Sequence, residues 1–324
     1  MRVFINGFGR IGRSVLRAWA LRPECWPGLE VAGVNDVAAP EMCAYLFQYD
    51  SVFGPFPGQV ALEGGALVVN GRRVPLSRSG DLSDLDLSGV DLVMECTGRA
   101  NGMAVARRGL DAGAGRVLIS GPSEAAEFTV VLGANEAGLG AQRIVSNASC
   151  TTNALAPLAR LIHERWGIVT GSMTTIHCYT GSQPTVDAPA AEYARSRAAA
   201  LSMVPTTTSA QRLLDQVLPQ IAGRIEGSAV RVPTASVSAV DLAVMTKHLP
   251  DVAEVNAAFR MAGGVIGSTD MPLVSTDLRA RPESIVMACP ETRLTRGGML
   301  RVFGWYDNEW GFSNRMLDIA CRMG

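Results

Sequence analysis

Several features that define whole classes of protein are missing from this chain of 324 residues. Its seven cysteines are scattered, odd in number and form no Cys-x-x-Cys pair, which argues against a disulfide framework and against a zinc site. A formal net charge of −1 gives no electrostatic basis for binding nucleic acid or an acidic membrane surface. We therefore expect neither a metal site nor a nucleic-acid partner.

Long apolar runs are missing as well. No run reaches the roughly 18 residues that a membrane span needs, and glycines interrupt the N-terminal segment too early for a signal peptide. We expect a cytoplasmic protein without a membrane partner. The length suggests about two domains of roughly 150 residues each, which is enough chain to bury cores without cross-links.

The first part of the chain carries the pattern of a parallel α/β sheet. Residues 2–6 predict a strand, and a glycine-rich turn and a helical apolar pattern follow before a second strand at 29–36. Strand, turn, helix and strand in this order form a βαβ unit with a right-handed crossover. Further strands are predicted at 90–96, 116–120 and 129–133, and a helix at 101–113. Together they predict a doubly wound domain.

The pattern changes near residue 150. Residues 150–166 predict one long helix that contains a proline, and the last residues predict another helix. Strands are predicted at 167–180, 230–246 and 298–306. Residues 180–206 are rich in Pro, Ala and Ser and predict a long ordered loop, a length that is more typical of a functional segment or an interface than of a simple connection.

The turn after the first strand, "GFGRIG", matches the pattern G-x-G-x-x-G. The pattern is informative because it follows a strand and opens a helix. Gly7 permits the tight turn, Gly9 lets the backbone approach a pyrophosphate, and Gly12 lets helix and strand pack closely. The backbone N–H groups of Arg10 and Ile11 are then predicted to face the phosphates at the helix N-terminus.

Asp36 ends the second predicted strand. A carboxylate at this place accepts hydrogen bonds from both ribose hydroxyls of a dinucleotide and repels a 2′-phosphate. The turn and the carboxylate together predict a dinucleotide site that prefers NAD to NADP.

The stretch "SNASCTTN" places Cys150 at the first turn of the long helix. The helix dipole favours a thiolate there, although a lone cysteine is more often buried and inert. His177, at the end of the strand "GSMTTIHC", is a candidate base for this thiol. His163 and His248 are better explained as packing or surface residues. The sequence alone does not show that Cys150 and His177 touch.

At this point seven motifs occur in order: "INGFGRIGR", "YDSVFG", "ECTGR", "SNASCTTN", "TTIH", "RVPT" and "WYDNEWGFSNR". With them the chain resembles the phosphorylating glyceraldehyde-3-phosphate dehydrogenases from residue 2 to about 322. The resemblance implies that Cys150 attacks an aldehyde and that His177 acts as its base. A hemithioacetal, hydride transfer to NAD and a thioester follow, and inorganic phosphate cleaves the thioester.

The resemblance also implies binding sites for two phosphates and for the cofactor. It implies that the attacking phosphate is bound by Ser149, Thr151, Thr208 and Arg197. The substrate phosphate would be bound by Thr180 and Arg231. Asn308 would bind the nicotinamide carboxamide. The adenosine and ribose side would be lined by Asn6, Asp36, Arg78 and Thr97.

The architecture that follows is α/β. It has a Rossmann doubly wound NAD-binding domain at 1–149, to which a C-terminal helix at about 312–324 returns, and an α+β catalytic domain at 150–311 with a mixed or antiparallel sheet. The expected partners are an aldehyde phosphate, inorganic phosphate and further copies of the chain, because the family implies a homotetramer. In it the loop 180–206 would cross a subunit interface.

Some positions depart from the family pattern. Pro184 stands where a basic residue is usual, and Ser209 stands where a glycine is usual beside Thr208. These changes leave open a divergent relative that acts on D-erythrose 4-phosphate or uses arsenate as the acyl acceptor. A semialdehyde dehydrogenase is disfavoured by Asp36, because that group usually uses NADP. A non-catalytic relative is disfavoured by the retained cysteine, histidine and arginines.

Overall fold

The computed structural model describes all 324 residues of the chain. The chain divides into two compact units. The first unit contains residues 1–130, 136–148 and 313–324, and the second contains 131–135 and 149–312. None of the helices combines the length and the apolar character that crossing a membrane requires.

The first unit is built around one sheet with helices between its strands. Its strands begin with the predicted βαβ unit, in which Val3 and Ile5 are fully buried and α1 turns Val15 and Leu16 inward. The elements are β1 Arg2–Asn6, α1 Arg10–Leu21, β2 Glu30–Asn35, α2 Pro40–Gln48, β3 Val60–Glu63, β4 Ala66–Val69, β5 Arg72–Ser77, β6 Leu92–Glu95, α3 Met103–Ala106, α4 Arg108–Asp111, β7 Arg116–Ile119, β8 Phe128–Thr129 and β9 Ile144–Ser146.

The strand order in this sheet is β3-β4-β5-β2-β1-β6-β7-β9-β8. Strand β1 pairs in parallel with β2 on one side and with β6 on the other. The chain therefore leaves β1 towards β2 and later returns to its opposite side, which makes the gap between β1 and β6 a topological switch point. In doubly wound sheets a ligand binds at the carboxyl ends of the strands at such a point.

Two predicted elements of the first unit differ in the structure. The strand predicted at 129–133 is only β8, because the chain turns immediately afterwards and the Ala134 N–H donates to the Val131 carbonyl at 3.1 Å. The helix predicted at 101–113 is the pair α3 and α4, with Arg107 between them.

The second unit consists of a mixed sheet and helices. The predicted long helix is α5, which buries Leu155, Leu158 and Ile162 completely and ends at Gly167 in the left-handed conformation (φ 70°). The elements are α5 Cys150–Trp166, β10 Ile168–Cys178, β11 Val204–Thr206, α6 Ala210–Val217, β12 Ile225–Val232, β13 Ser238–Thr246, α7 Val252–Ala262, β14 Ile266–Thr269, β15 Ile285–Ala288, β16 Arg293–Leu294, β17 Met299–Tyr306 and α8 Trp310–Met323, most of which belongs to the first unit.

Its strand order is β11-β12-β10-β13-β17-β15-β14, and β16 also pairs with β17. Strands β10 and β12 run in parallel, while β13 and β17 are antiparallel to their neighbours. The single strand predicted at 230–246 is two strands, because a connection that contains Pro233 and the left-handed Val237 (φ 66°) separates β12 from β13. The chain between β10 and β11 contains only one short 3₁₀ turn, Ala194–Ser196, as the loop prediction requires.

Candidate active site

The first unit has a cavity of about 200 Å³ at the carboxyl ends of β1, β2, β5 and β6. This is the place that the switch point between β1 and β6 predicts. The cavity is lined by Asn6, Gly7, Gly9, Asn35, Asp36, Val37, Ser79, Gly80, Leu82, Cys96, Thr97, Arg99, Val105 and Arg108. Five of the residues expected to bind the cofactor are therefore brought together here: Asn6, Gly7, Gly9, Asp36 and Thr97.

The three glycines of the turn meet different constraints. Gly7 has φ 90°, and a Cβ on it would lie 2.7 Å from the Thr97 nitrogen. A Cβ on Gly12 would lie only 2.1 Å from the Gly7 carbonyl oxygen, so the turn packs directly on α1. A Cβ on Gly9 would meet nothing within 4 Å, so the space beside this residue is open to a ligand. The first turn of α1 carries no acidic side chain. Open space beside the N-terminus of a helix fits a pyrophosphate.

Asp36 links the turn to the end of β2. Its carboxylate accepts hydrogen bonds from the Phe8 N–H at 2.7 Å and from the Ala38 N–H at 2.9 Å. These bonds hold the carboxylate at the wall of the cavity, where its remaining lone pairs can accept from hydroxyl groups of a ligand.

A buried polar network fixes Asn6 and Thr97. The Asn6 amide donates to the Glu95 carboxylate at 2.5 Å and accepts from the Asn35 amide at 2.9 Å. The same carboxylate accepts from the Thr97 N–H at 2.9 Å. Sequence reasoning did not single out Glu95 or Asn35. The signal for them is a polar residue at the end of an otherwise apolar strand.

The other residues expected near the cofactor do not line the cavity. Arg78 is exposed, does not line the cavity, and donates from Nε to the Val37 carbonyl at 2.9 Å. Arg10 and Ile11 do not line the cavity, and the Arg10 side chain forms an ion pair with Asp50. Both residues lie in the first turn of α1, and the role of their backbone N–H groups stays a prediction. Arg99 and Arg108 line the cavity and were not expected.

The second unit has a separate cavity of about 270 Å³. It is lined by Ser149, Cys150, Thr151, Thr175, His177, Arg195, Thr207, Thr208, Ser209, Ala229 and Arg231. Two arginines and six hydroxyl groups face it, and none of the lining residues is acidic. Guanidinium and hydroxyl groups without competing carboxylates form a site for anions.

Cys150 and His177 meet in this cavity. Cys150 is the first residue of α5, and the preceding Ser149 caps the helix by accepting from the Thr152 N–H at 3.1 Å. The Cys150 Sγ lies 3.6 Å from the His177 Nε2. This distance is short enough for a hydrogen bond to sulfur, so the thiol and the imidazole are placed to exchange a proton.

The register of two parallel strands brings Arg231 to the histidine. His177 on β10 is the neighbour of Arg231 on β12, and Thr175 is the neighbour of Ala229 two residues earlier. Side chains two residues apart point to the same face of a sheet, so all four of these residues line the cavity.

The Nδ1 atom of His177 has two close neighbours. It lies 2.7 Å from the Cys178 carbonyl oxygen and 2.7 Å from the Arg231 Nη1. The Arg231 Nη1 also donates to that carbonyl at 3.1 Å. A carbonyl can only accept and a guanidinium can only donate, so the two neighbours of Nδ1 favour different tautomers of the ring.

Burial sets the protonation of the pair. It raises the pKa of the Cys150 thiol above its ordinary value, although Arg231 and the Thr151 hydrogen bonds act in the opposite direction. Burial, with a smaller contribution from Arg231, lowers the pKa of His177 to about 4. The helix start alone therefore does not produce the low thiol pKa that its position suggests, because desolvation outweighs the helix N–H groups.

Tyr306 contacts residues of the cavity wall through its hydroxyl and through its ring. Its hydroxyl lies 2.8 Å from the Thr151 Oγ1 and 2.8 Å from the Thr175 Oγ1, and its ring packs edge-on against His177. Burial raises the pKa of Tyr306 well above its ordinary value, so the phenol stays protonated. The side chain therefore holds α5, β10 and β17 together at the site.

The residues expected to bind phosphate separate into two groups. Four of the six line the cavity: Ser149, Thr151, Thr208 and Arg231. Thr180 and Arg197 do not line it. The Thr180 hydroxyl lies 3.0 Å from that of Ser182, and Arg197 is exposed and forms an ion pair with Asp187 at 2.7 Å. Arg195 lines the cavity instead, and sequence reasoning missed it.

Asn308 lies two residues after Tyr306, the last residue of β17. It is buried, and its side-chain oxygen accepts from the Cys178 Sγ at 3.1 Å. In this orientation the carboxamide nitrogen makes no contact with the thiol and can donate elsewhere.

Comparisons with known proteins show to which family the chain belongs. The NAD binding domain model of glyceraldehyde 3-phosphate dehydrogenase matches residues 1–103, and the model of the C-terminal domain of that enzyme matches residues 149–308. The chain is 44% identical to glyceraldehyde-3-phosphate dehydrogenase of Xanthobacter flavus and 45% identical to that of Cereibacter sphaeroides. Each alignment covers 100% of this chain and 98% of the relative.

The chain belongs to the glyceraldehyde 3-phosphate dehydrogenase family. The enzyme of Pseudomonas aeruginosa that bears the same name is 46% identical over 99% of this chain and 97% of its own length. Membership confirms the predicted family, the two-part α/β fold and NAD as the cofactor. The protein is an NAD-dependent oxidoreductase of this family.

Proposed function

We propose that this chain oxidises D-glyceraldehyde 3-phosphate with NAD and inorganic phosphate to 1,3-bisphosphoglycerate. The observation that carries the proposal is the 3.6 Å approach of the Cys150 Sγ to the His177 Nε2 inside a cavity that has two arginines and no acidic residue. A cysteine nucleophile beside a base can carry the acyl group of a substrate as a thioester. An anion site beside the cysteine and the base can hold phosphate.

The first step is the attack of the Cys150 sulfur on the aldehyde carbon. The thiol proton passes to the His177 Nε2, and the imidazolium returns it to the new alkoxide, which yields a hemithioacetal. The imidazole then removes the hydroxyl proton as the hydride leaves the same carbon, and a thioester remains on Cys150. Bound NAD supplies the hydride acceptor. His177 can serve as the base only when its Nε2 carries a lone pair.

The second half-reaction is phosphorolysis of the thioester. A phosphate oxygen attacks the carbonyl carbon, the carbon–sulfur bond breaks, and the proton that His177 took from the hydroxyl passes to the leaving Cys150 sulfur. This transfer restores the thiol and the neutral imidazole. Arg195, Arg231 and the hydroxyl of Thr208 are the groups that support phosphate binding in the cavity. We assign Arg195 the part that the resemblance gave to Arg197, because Arg197 is paired with Asp187 outside the cavity. For Thr180 the role in binding the substrate phosphate stays a prediction.

NAD fits the cavity of the first unit because the space beside Gly9 is open and Asp36 stands at the end of β2. We propose that Asp36 holds the ribose hydroxyls and that Asn6 and Thr97 line the adenosine side. The carboxylate of Asp36 repels a 2′-phosphate, and an Asp36→Asn variant removes this charge. Asn308, whose amide nitrogen is left available, is proposed to bind the nicotinamide carboxamide.

The proposal is tested by NADH absorbance with purified protein, NAD and phosphate. We expect rapid NADH formation with D-glyceraldehyde 3-phosphate, loss of at least about 10³-fold in Cys150→Ala, and labelling of Cys150 by iodoacetate in the wild type. Asp36→Asn should raise the ratio of NADP to NAD activity by about 10-fold or more, since about 1.4 kcal/mol corresponds to each factor of ten. The proposal fails if no aldehyde phosphate yields NADH.

D-erythrose 4-phosphate is the second candidate substrate. Ser209 lines the cavity beside Thr208, in the place where the family pattern has glycine, and therefore changes the wall that a longer substrate would meet. The same assay with this aldehyde, and with arsenate in place of phosphate, ranks the candidates by kcat/KM. A higher kcat/KM for D-erythrose 4-phosphate would overturn the assignment of the three-carbon substrate.

A further inference from the structure

Cys178 and Asn308 meet at one edge of the mixed sheet. Strands β10 and β17 are both antiparallel to β13, so their carboxyl ends lie at the same edge. Cys178 is the last residue of β10, and Asn308 lies two residues after the end of β17. The Cys178 Sγ donates a hydrogen bond to the Asn308 Oδ1 at 3.1 Å. The Asn308 side chain makes no other hydrogen bond, so this thiol is its only partner.

The backbone on both sides of this contact is held by hydrogen bonds. The Cys178 N–H donates to the Ser238 Oγ at 3.1 Å. The Asp307 carboxylate accepts from the Trp310 N–H at 2.8 Å, which closes the turn that contains Asn308. Because both backbones are fixed, the freedom that remains is rotation of the Asn308 side chain, and the thiol is the group that limits it.

The Cys178 thiol is a hydrogen-bond donor. It is fully buried, and burial raises the pKa of Cys178 to about 12, so the sulfur keeps its proton at pH 7. A carboxamide oxygen accepts this proton, whereas a carboxamide nitrogen facing the sulfur would leave the buried S–H without an acceptor. The orientation with the oxygen towards the thiol is therefore favoured, and it leaves the two N–H groups of the Asn308 Nδ2 for a ligand.

We propose that Cys178 is a positioning residue for the oxidation, whose thiol holds the oxygen of the Asn308 carboxamide so that its nitrogen is presented to the cofactor. The proposal rests on the proposed function, in which Asn308 binds the nicotinamide carboxamide. The oxygen of that group accepts from an N–H and has no use for a second oxygen. Without the thiol, the Asn308 carboxamide samples both orientations, and the fraction of protein that is ready to bind falls.

The test compares the binding of NADH with that of ADP-ribose, which has the same adenosine and pyrophosphate groups but no nicotinamide. Fluorescence measures the affinity for NADH, and titration calorimetry measures that for ADP-ribose. We expect Cys178→Ala to bind NADH about 3- to 10-fold more weakly than the wild type, which corresponds to one hydrogen bond, and to bind ADP-ribose equally well. Cys178→Ser keeps an O–H donor and should restore NADH binding.

Cys289→Ala is the matched control, because Cys289 is another buried thiol of the second unit and does not contact Asn308. This variant should bind NADH like the wild type. In steady-state assays Cys178→Ala should raise the KM for NAD and leave the KM for the aldehyde phosphate unchanged. A general disturbance of the sheet would instead change both KM values.

Infrared spectroscopy reads the hydrogen bond itself. The difference spectrum between wild type and Cys178→Ser isolates the S–H stretching band of Cys178, and we expect this band to move to higher frequency in Asn308→Ala, which removes the acceptor. This measurement does not depend on whether Cys178→Ala folds. A band that stays in place in Asn308→Ala contradicts the proposal.

The binding results separate the proposal from the proposed function. Equal NADH binding by wild type and Cys178→Ala, with weaker binding by Asn308→Ala, overturns the role of Cys178 alone. A Cys178→Ala variant that loses NADH and ADP-ribose binding together also overturns it. Unchanged NADH binding in Asn308→Ala overturns the nicotinamide contact of the proposed function, and a wild type that binds neither compound overturns its cofactor site.

Discussion

At the scale of single residues, the site depends on the competition between burial and hydrogen bonds. Cys150 stands at a helix start, which favours a thiolate, yet burial raises its pKa. His177 is buried as well, and its pKa falls to about 4. Burial therefore favours the neutral form of both groups, and the hydrogen bonds and Arg231 act against it at Cys150.

The buried imidazole makes the folded protein sensitive to acid. The folded pKa of His177, about 4, lies below the ordinary value of 6.5, so between these values the unfolded chain binds the proton more strongly. The contribution of His177 to the free energy of unfolding is therefore fully present above pH 6.5 and is lost as the pH falls towards 4. Replacement by asparagine removes this dependence, and we expect the wild type to lose about 2–3 kcal/mol more than His177→Asn between pH 7.5 and 4.5.

Urea-induced unfolding at the two pH values measures this difference. The effect of pH on the remaining groups, including the partly buried His163, is common to both proteins and cancels in the comparison. His248→Asn is the control, because His248 is exposed and its replacement should leave the acid sensitivity of the wild type unchanged. Equal losses of stability in wild type and His177→Asn would show that the ring is not held neutral by burial.

At the scale of elements, two glycines of the turn have different roles. Gly12 allows the turn to pack on α1, and Gly9 leaves space for the cofactor. An alanine at position 12 would place a Cβ 2.1 Å from the Gly7 carbonyl oxygen, and a backbone atom cannot move aside cheaply. An alanine at position 9 would meet nothing within 4 Å, and Gly9 has φ −71°, which any residue can adopt. We expect Gly12→Ala to destabilise the protein by about 2–4 kcal/mol and Gly9→Ala to fold normally but bind NAD at least about 10-fold more weakly.

Thermal melting without NAD and NADH binding by fluorescence measure the two effects separately. Gly140→Ala is the control, because this glycine is exposed, lies in the same unit, and would place its Cβ no closer than 3.7 Å to a flexible side chain. Gly9→Ala that binds NADH like the wild type, or Gly12→Ala that melts like the wild type, would contradict the division of roles within the turn.

Elements with a clear period could be predicted from the sequence, and side-chain direction in irregular segments could not. The helix α5 and the strand β10 follow from apolar spacing, and the position of His177 beside Arg231 follows once β10 and β12 are known to be parallel. The break at Val237 and the early end of β8 depend on backbone turns inside apolar stretches. The choice between Arg195 and Arg197 depends on a loop without a period, so a motif match alone could not decide it.

At the scale of the whole molecule, the exposed apolar side chains of one segment bear on assembly. Tyr193, Leu201 and Met203, between β10 and β11, are 98%, 83% and 74% exposed. We propose that this segment packs against other copies of the chain in a homotetramer, because exposed apolar surface of this kind marks an interaction site in a soluble protein. Sedimentation equilibrium should then give four times the chain mass of 34.3 kDa.

A charged residue in the segment should weaken that assembly. We expect Leu201→Asp to lower the average mass at micromolar concentration, since an unpaired carboxylate buried in an interface costs several kcal/mol. Met261→Asp is the matched control, because Met261 is 77% exposed on α7, away from the segment, and its replacement should keep the wild-type mass. A wild-type mass of 34.3 kDa, or a tetramer in Leu201→Asp that dissociates no more readily than in Met261→Asp, would show that the segment between β10 and β11 is not a subunit interface.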